Sequence, residues 1–82
     1  MIYPKQIRAA RSLLGISQTE LANRVGISPA TVKRIEMLSD DLRVKANTLL
    51  RIQRALEADG IIFIEPDEVH GLGLRLKDPS QR

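Results

Sequence analysis

The tightest constraint on this chain lies in its middle, where two helix-start signals stand on either side of a single glycine stop. Ser17-Gln18-Thr19-Glu20 has the form of a capping box. The serine hydroxyl accepts from a free N–H of the first turn while the glutamate reaches back to the serine's own N–H. The helix opened there is predicted to end near Val25, with Gly26 just beyond it, because glycine takes the left-handed conformation at little cost. Only Ile27 then separates Gly26 from Ser28-Pro29, an N-cap followed by a proline at the first helical position, where its missing N–H does no harm. Two short helices joined this closely must cross steeply, and the crossing restricts several positions at once. The stretch Gln18–Met37, QTELANRVGISPATVKRIEM, meets those restrictions. Ala22 is small where the helices approach, Ile27 fills the space beneath the turn, and Leu21, Val25, Val32 and Ile35 supply apolar contacts to the rest of the molecule.

The flanking segments provide that rest. Pro4 suits a first helical turn, Ile7, Ala10, Arg11 and Leu14 then share one face, and Gly15 closes the helix. The helix begun at Pro29 is predicted to run to about Met37, and Leu38–Val44, with Ser39-Asp40-Asp41, reads as a loop. A fourth helix is expected over roughly Lys45–Ala58, with Leu49, Ile52 and Leu56 in register and Gly60 after its end. Past Gly60 the pattern changes to Ile61-Ile62-Phe63-Ile64, a strand signal, and then to Gly71–Lys77, which alternates with three leucines on one face. Residues 65–70 would join the two as a hairpin loop. The expected architecture is mainly α: four or five helices in a compact bundle over residues 1–60, a C-terminal β-hairpin over 61–77, and a frayed tail over 78–82.

Composition narrows the function classes. The 82 residues suffice for one domain, and with 43% hydrophobic but only 2% aromatic residues the core must be aliphatic. The absence of cysteine rules out disulfides and thiolate metal sites and agrees with a reducing compartment. No apolar run approaches the roughly 20 residues that cross a bilayer, and the start lacks the apolar stretch of a signal peptide. A cytoplasmic protein without a membrane partner is expected. Residues 1–58 carry ten basic side chains against five acidic ones, and residues 59–82 carry three against five. A basic body with a mildly acidic end fits a polyanion-binding module followed by a segment with another task. No catalytic triad or carboxylate pair stands out. Gly71 and Gly73 are not a phosphate loop, since no helix start follows them, and His70 beside Asp67 and Glu68 reads as a solvated loop residue. No enzyme activity, cofactor or metal is expected.

Over roughly residues 4–60 the sequence resembles the phage-repressor-like helix-turn-helix family, often called the XRE family. The resemblance is carried by Arg11 and Gly15 before Ser17-Gln18, then Leu21-Ala22, Val25-Gly26-Ile27, Val32, Ile35-Glu36 and the Leu49–Leu56 helix. It implies that the third helix lies in the major groove of duplex DNA and that its N-terminal half reads base edges. Ser28, Ala30, Thr31, Lys33 and Arg34 match reading positions, as does Gln18 at the start of the second helix. Arg34 is the strongest candidate, because a guanidinium can bridge the O6 and N7 acceptors of guanine. Ser17, Arg43 and Lys45 match positions that grip phosphates, and Arg11 and Glu36 match a structural salt bridge between the first and third helices. The sequence departs from the commoner pattern at Pro29-Ala30, where many relatives carry hydrogen-bonding side chains.

The hairpin admits two readings. Ile62, Ile64, Leu72, Leu74 and Leu76 either pack as a lid on their own helices or form a dimerisation surface; dimerisation is favoured, because an operator-binding unit gains by doubling. The expected function is that of a homodimeric repressor or autoregulator on a palindromic operator. The alternative is an antitoxin or antiactivator whose C-terminal tail binds another protein.

Overall fold

The first three helices begin where a nearby side chain supplies a partner for an otherwise free N–H, and the fourth starts without such a cap. In the computed structural model, which describes residues 2–38 and 44–77, the elements are α1 (Pro4–Leu14), α2 (Gln18–Val25), α3 (Pro29–Met37), α4 (Ala46–Ala58), β1 (Ile61–Ile64) and β2 (Gly73–Leu76). The capping box at α2 is complete: Glu20 N–H donates to Ser17 Oγ at 3.0 Å and Ser17 N–H to Glu20 Oε1 at 3.3 Å. Ser28 Oγ caps α3 by accepting from Thr31 N–H at 3.1 Å. At α1 the sequence offered only Pro4, but Gln6 completes half of a capping box, its Oε1 accepting from Tyr3 N–H at 2.9 Å. Gly26 ends α2 with φ +81° and Gly15 ends α1 with φ +69°, both in the left-handed region.

Among the described residues there are four helices, the lower of the two numbers expected. Ile7 and Ala10 of α1, Leu21 and Ala22 of α2, Val32 and Ile35 of α3, and Leu49, Ile52 and Leu56 of α4 form one aliphatic core. Each fully buried large side chain contributes roughly 1.5–3 kcal/mol relative to exposure, which is how the bundle closes with a single phenylalanine and a single tyrosine. The helices α2 and α3 pack directly on each other, and α1 contacts both α3 and α4.

The hairpin lies with β1 against α4 and β2 against α1. Its strands are antiparallel, pairing Ile61 with Leu76, Ile62 with Arg75, Phe63 with Leu74 and Ile64 with Gly73. Successive side chains of a strand point to opposite faces, so Ile61, Phe63, Leu74 and Leu76 form the inner face and pack on the core. Ile62 and Ile64 point outward and are exposed. This corrects the grouping of Ile62, Ile64, Leu72, Leu74 and Leu76 on one surface. A run of four apolar residues has no alternation of its own, and pairing with β2 decides which two face in. Leu72 is half-buried but lies outside β2, which is shorter than the alternating stretch. One buried polar side chain fixes the hairpin to the helices: Gln6 Nε2 donates to the Gly73 carbonyl at 2.9 Å. The connecting loop is shaped by Asp67, whose Oδ1 accepts from Val69 N–H at 2.8 Å and His70 N–H at 2.6 Å. The tail over 78–82, and the expectation that it frays, lie outside the described residues.

Candidate nucleic-acid interface

The outward face of α3 is set by what its inward face must do. Val32 and Ile35 are buried in the core and Glu36 is 3% exposed, so Ala30, Lys33 and Arg34 turn outward and are exposed. Thr31 is half-buried at the edge of that face. Ser28 is exposed, but its hydroxyl is engaged within the helix start, accepting from Thr31 N–H and lying 2.8 Å from Thr31 Oγ1. These two hydroxyls therefore hold the first turn of α3 in shape. The side chains left to project from its middle are a methyl group, an ammonium and a guanidinium.

Glu36 is the anchor on the opposite side. Its carboxylate accepts from Arg11 Nε at 2.9 Å, Arg11 Nη2 at 3.1 Å and Gln18 Nε2 at 3.2 Å. The two-pronged Arg11 contact is the planar, bidentate type that holds a carboxylate most firmly. The hydrogen bond and charge of Glu36 hold the Arg11 proton above its ordinary range, against a smaller opposing effect of burial. Arg11 Nη1 also donates to the Ile16 carbonyl at 3.1 Å, and Arg8 Nη2 donates to the Glu36 carbonyl at 2.7 Å, satisfying one of the open carbonyls at the end of α3. A buried carboxylate is tolerated only with such partners. Together they clamp the end of α3 to α1 and to the start of α2. The expected Arg11–Glu36 pair is present. Arg8, one helical turn before Arg11, is an addition that only its spacing along α1 could have suggested.

Gln18 sits differently from the other positions expected to read bases. It is half-buried and its amide nitrogen is committed to Glu36, so it adjoins the α3 face without projecting freely from it. Ser17 is exposed at the N-cap of α2, and Lys45 is exposed at the N-cap of α4. Arg43 lies outside the described residues. A groove of about 590 Å³ runs between α3 and the start of α4, bordered by Thr31, Arg34 and Ile35 on one side and Val44, Lys45 and Thr48 on the other. The first turns of α3 and α4 contain no acidic residue, so neither helix offsets the positive end of its dipole from within its own first turn. Two cations, two hydroxyls and these helix starts share one side of the molecule, an arrangement that favours an extended polyanion.

The two basic side chains nearest the inter-helix turn serve the fold instead. Arg51 donates to the Val25 carbonyl at the end of α2, and Arg24 pairs with Asp59 after α4. Among the described residues no group of three or more His, Asp or Glu side chains could hold a metal ion, and His70 pairs only with Asp67 of its own loop. No helix among them is long and apolar enough to cross a membrane.

A family model for the helix-turn-helix matches residues 7–59, which takes in most of α1 and all of α2 to α4 and stops just before the hairpin. No curated protein matches the chain. The matched family is regulatory and DNA-binding, not catalytic. The paired helices α2 and α3, the locked Arg11–Glu36 contact and the match over most of the chain lead to one conclusion: this protein belongs to the XRE-type helix-turn-helix family of DNA-binding transcription regulators.

Proposed function

We infer that the protein binds a palindromic operator as a homodimer and represses transcription from it, its own promoter included. The observation that carries this reading is the division of α3 into two faces. Glu36 and the core hold one face rigidly, and Ala30, Lys33 and Arg34 stand exposed on the other. A helix held this way can present side chains to base edges at fixed positions, which sequence discrimination requires.

In this reading Arg34 is the main base reader and prefers guanine, Ala30 meets a thymine methyl, and Lys33 contacts a base or an adjacent phosphate. Thr31 and Ser28 contribute at the edge, where their mutual hydrogen bond leaves an oxygen lone pair for a donor. Gln18 contributes at the edge of the same face with the amide groups that its bond to Glu36 leaves available. Ser17, Arg43 and Lys45 take phosphates. Two copies would engage half-sites about 34 Å apart along the duplex. Affinity then rests mainly on phosphate neutralisation and falls steeply with salt.

The test is a mobility-shift titration on the DNA upstream of the gene, against a scrambled duplex, with wild type and Arg34→Ala at two salt concentrations. The expected result is a preference for the upstream DNA that the variant loses by about 1–3 kcal/mol. If neither protein prefers that DNA, autoregulation is refuted. The rival reading, an antitoxin or antiactivator that grips another protein with its tail, draws on the exposed outer face of the hairpin, where Ile62 and Ile64 stand side by side.

A further inference from the structure

We propose that the free edge of β1 is the dimerisation element, pairing antiparallel with β1 of a second copy so that Phe63 faces the partner's Phe63 and Ile62 faces the partner's Ile64. This rests on the homodimer reading above and adds the edge, the partner strand and the register.

The bonding pattern within the hairpin selects the residues. Lys77 N–H donates to the Gly60 carbonyl at 2.8 Å, which makes Gly60 and Lys77 a directly bonded pair. Bonded and non-bonded pairs alternate along an antiparallel ladder, so Ile62–Arg75 and Ile64–Gly73 are bonded as well. Ile61 and Phe63 therefore turn their N–H and C=O groups away from β2. Among the described residues, Phe63 makes no backbone hydrogen bond outside the hairpin. An edge of this kind is a template for another strand unless something guards it.

Only β2 is guarded. It carries Arg75 and is followed by Lys77. Pairing β2 with a second β2 would bring like charges together. β1 carries no charge, and its outward side chains are Ile62, 43% exposed, and Ile64, 40% exposed. A two-stranded sheet of four-residue strands is weak alone. Joining two through β1 makes a four-stranded sheet with the cations on its outer strands and four isoleucines across its centre.

The two-fold axis and the alternation leave few registers. Hydrogen bonds across the new edge can come only from odd-numbered residues, so one β1 must meet the other with odd opposite odd. Ile61 is 1% exposed, held against the helices, which disfavours a pairing centred on Ile62. Centring on Phe63 uses the outward groups of Phe63 for two reciprocal bonds. It also sets Ile62 against the partner's Ile64 as a non-bonded pair, the closer of the two spacings, about 4.5 Å between Cα atoms. Ile62 then sits diagonally from the partner's Ile62, at about 7–8 Å.

The chain contains no cysteine, so single substitutions give an unambiguous readout. Full-length Ile62→Cys and Ile64→Cys are oxidised separately and as an equimolar mixture, alongside sedimentation of the reduced chains and far-UV circular dichroism to verify folding. A disulfide spans Cα separations of about 4.4–6.8 Å. The expected result is a cross-linked dimer in the mixture at several times the yield of either variant alone, with Ile64→Lys retaining its helix content and dimerising at least tenfold more weakly. A dimer in sedimentation without preferential mixed cross-linking, or one untouched by Ile64→Lys, overturns the β1 pairing and leaves the homodimer reading standing. A chain that remains monomeric even on a palindromic duplex overturns both.

Discussion

Replacing Arg11 with methionine is the sharpest test of how α3 is held. Arg11 supplies two of the three side-chain N–H groups that the Glu36 carboxylate accepts, and that carboxylate is 3% exposed. After the substitution, one donor remains, the Gln18 amide at 3.2 Å. Removing one partner of a buried ion pair costs about 3–5 kcal/mol. The Arg11 side chain is itself 21% exposed, so water can enter the space it leaves, which places the expected loss at the lower end, about 3 kcal/mol. Domains have roughly 0.05–0.15 kcal/mol of stability per residue, or on the order of 4–12 kcal/mol for this chain, so the loss is a large share of the total. With no tryptophan in the sequence, the assay is urea unfolding followed by far-UV circular dichroism. At a slope of about 1 kcal/mol per molar the midpoint should fall by about 3 M. The double variant Arg11→Met with Glu36→Met should regain most of it, since neither charge is then left buried without its partner. A single variant that loses less than about 1 kcal/mol, or a double variant no more stable than Arg11→Met, would refute the claim that this pair secures α3.

Further expectations follow from the turn, the hairpin anchor and the loop. Gly26→Ala should lower stability by at least about 1–2 kcal/mol, because φ is +81° and the added methyl lies 3.2 Å from Arg51 Nη2; thermal unfolding measures it. Gln6→Leu removes the partner of Tyr3 N–H and one of the donors to the Gly73 carbonyl, a loss of about 1–3 kcal/mol. Hydrogen exchange should show faster exchange in β1 and β2 than in α2 and α3; uniform acceleration would place Gln6 in the global core instead. Asp67 is held below its ordinary 3.8 by the N–H groups of His70 and Val69 and by the His70 ring. Its folded pKa is depressed, so its stabilisation of the loop is complete above the ordinary value and is lost as pH falls through the lowered one. Amide shifts of Val69 and His70 should move in that acidic window in wild type and stay flat in Asp67→Asn.

Much of the helical body is legible in the sequence, for identifiable reasons. Ser17-x-x-Glu20, Gly26 and Ser28-Pro29 are local signals whose partners lie within four residues, so short-range chemistry places α2 and α3 to within a residue. The buried positions Leu21, Ala22, Val25, Val32 and Ile35 follow from helical period and the need to close a steep crossing. The Arg11–Glu36 pair was legible only through family resemblance, since nothing local joins residues 25 positions apart. Gln18 shows the limit of that route. Its position at the start of α2 suggests contact with DNA, and that route carries no sign that its amide also donates to Glu36, a contact set by the proximity of three helices.

The chain by itself thus determined where its helices start and stop, which of their faces are apolar, and that α3 would carry its cations away from the core. Those properties depend on caps, period and charge that act within a turn or two of backbone. The tertiary structure decided which two isoleucines of β1 face solvent, that Gln6 adds a polar tie to the hairpin's apolar inner face, and which donors share Glu36. Each of these depends on a partner far away in sequence: β2 for the face of β1, α1 for the Gly73 carbonyl, and α1 with α2 for the end of α3. A uniform run such as Ile61–Ile64 carries no record of that partner, and only the pairing across space resolves it.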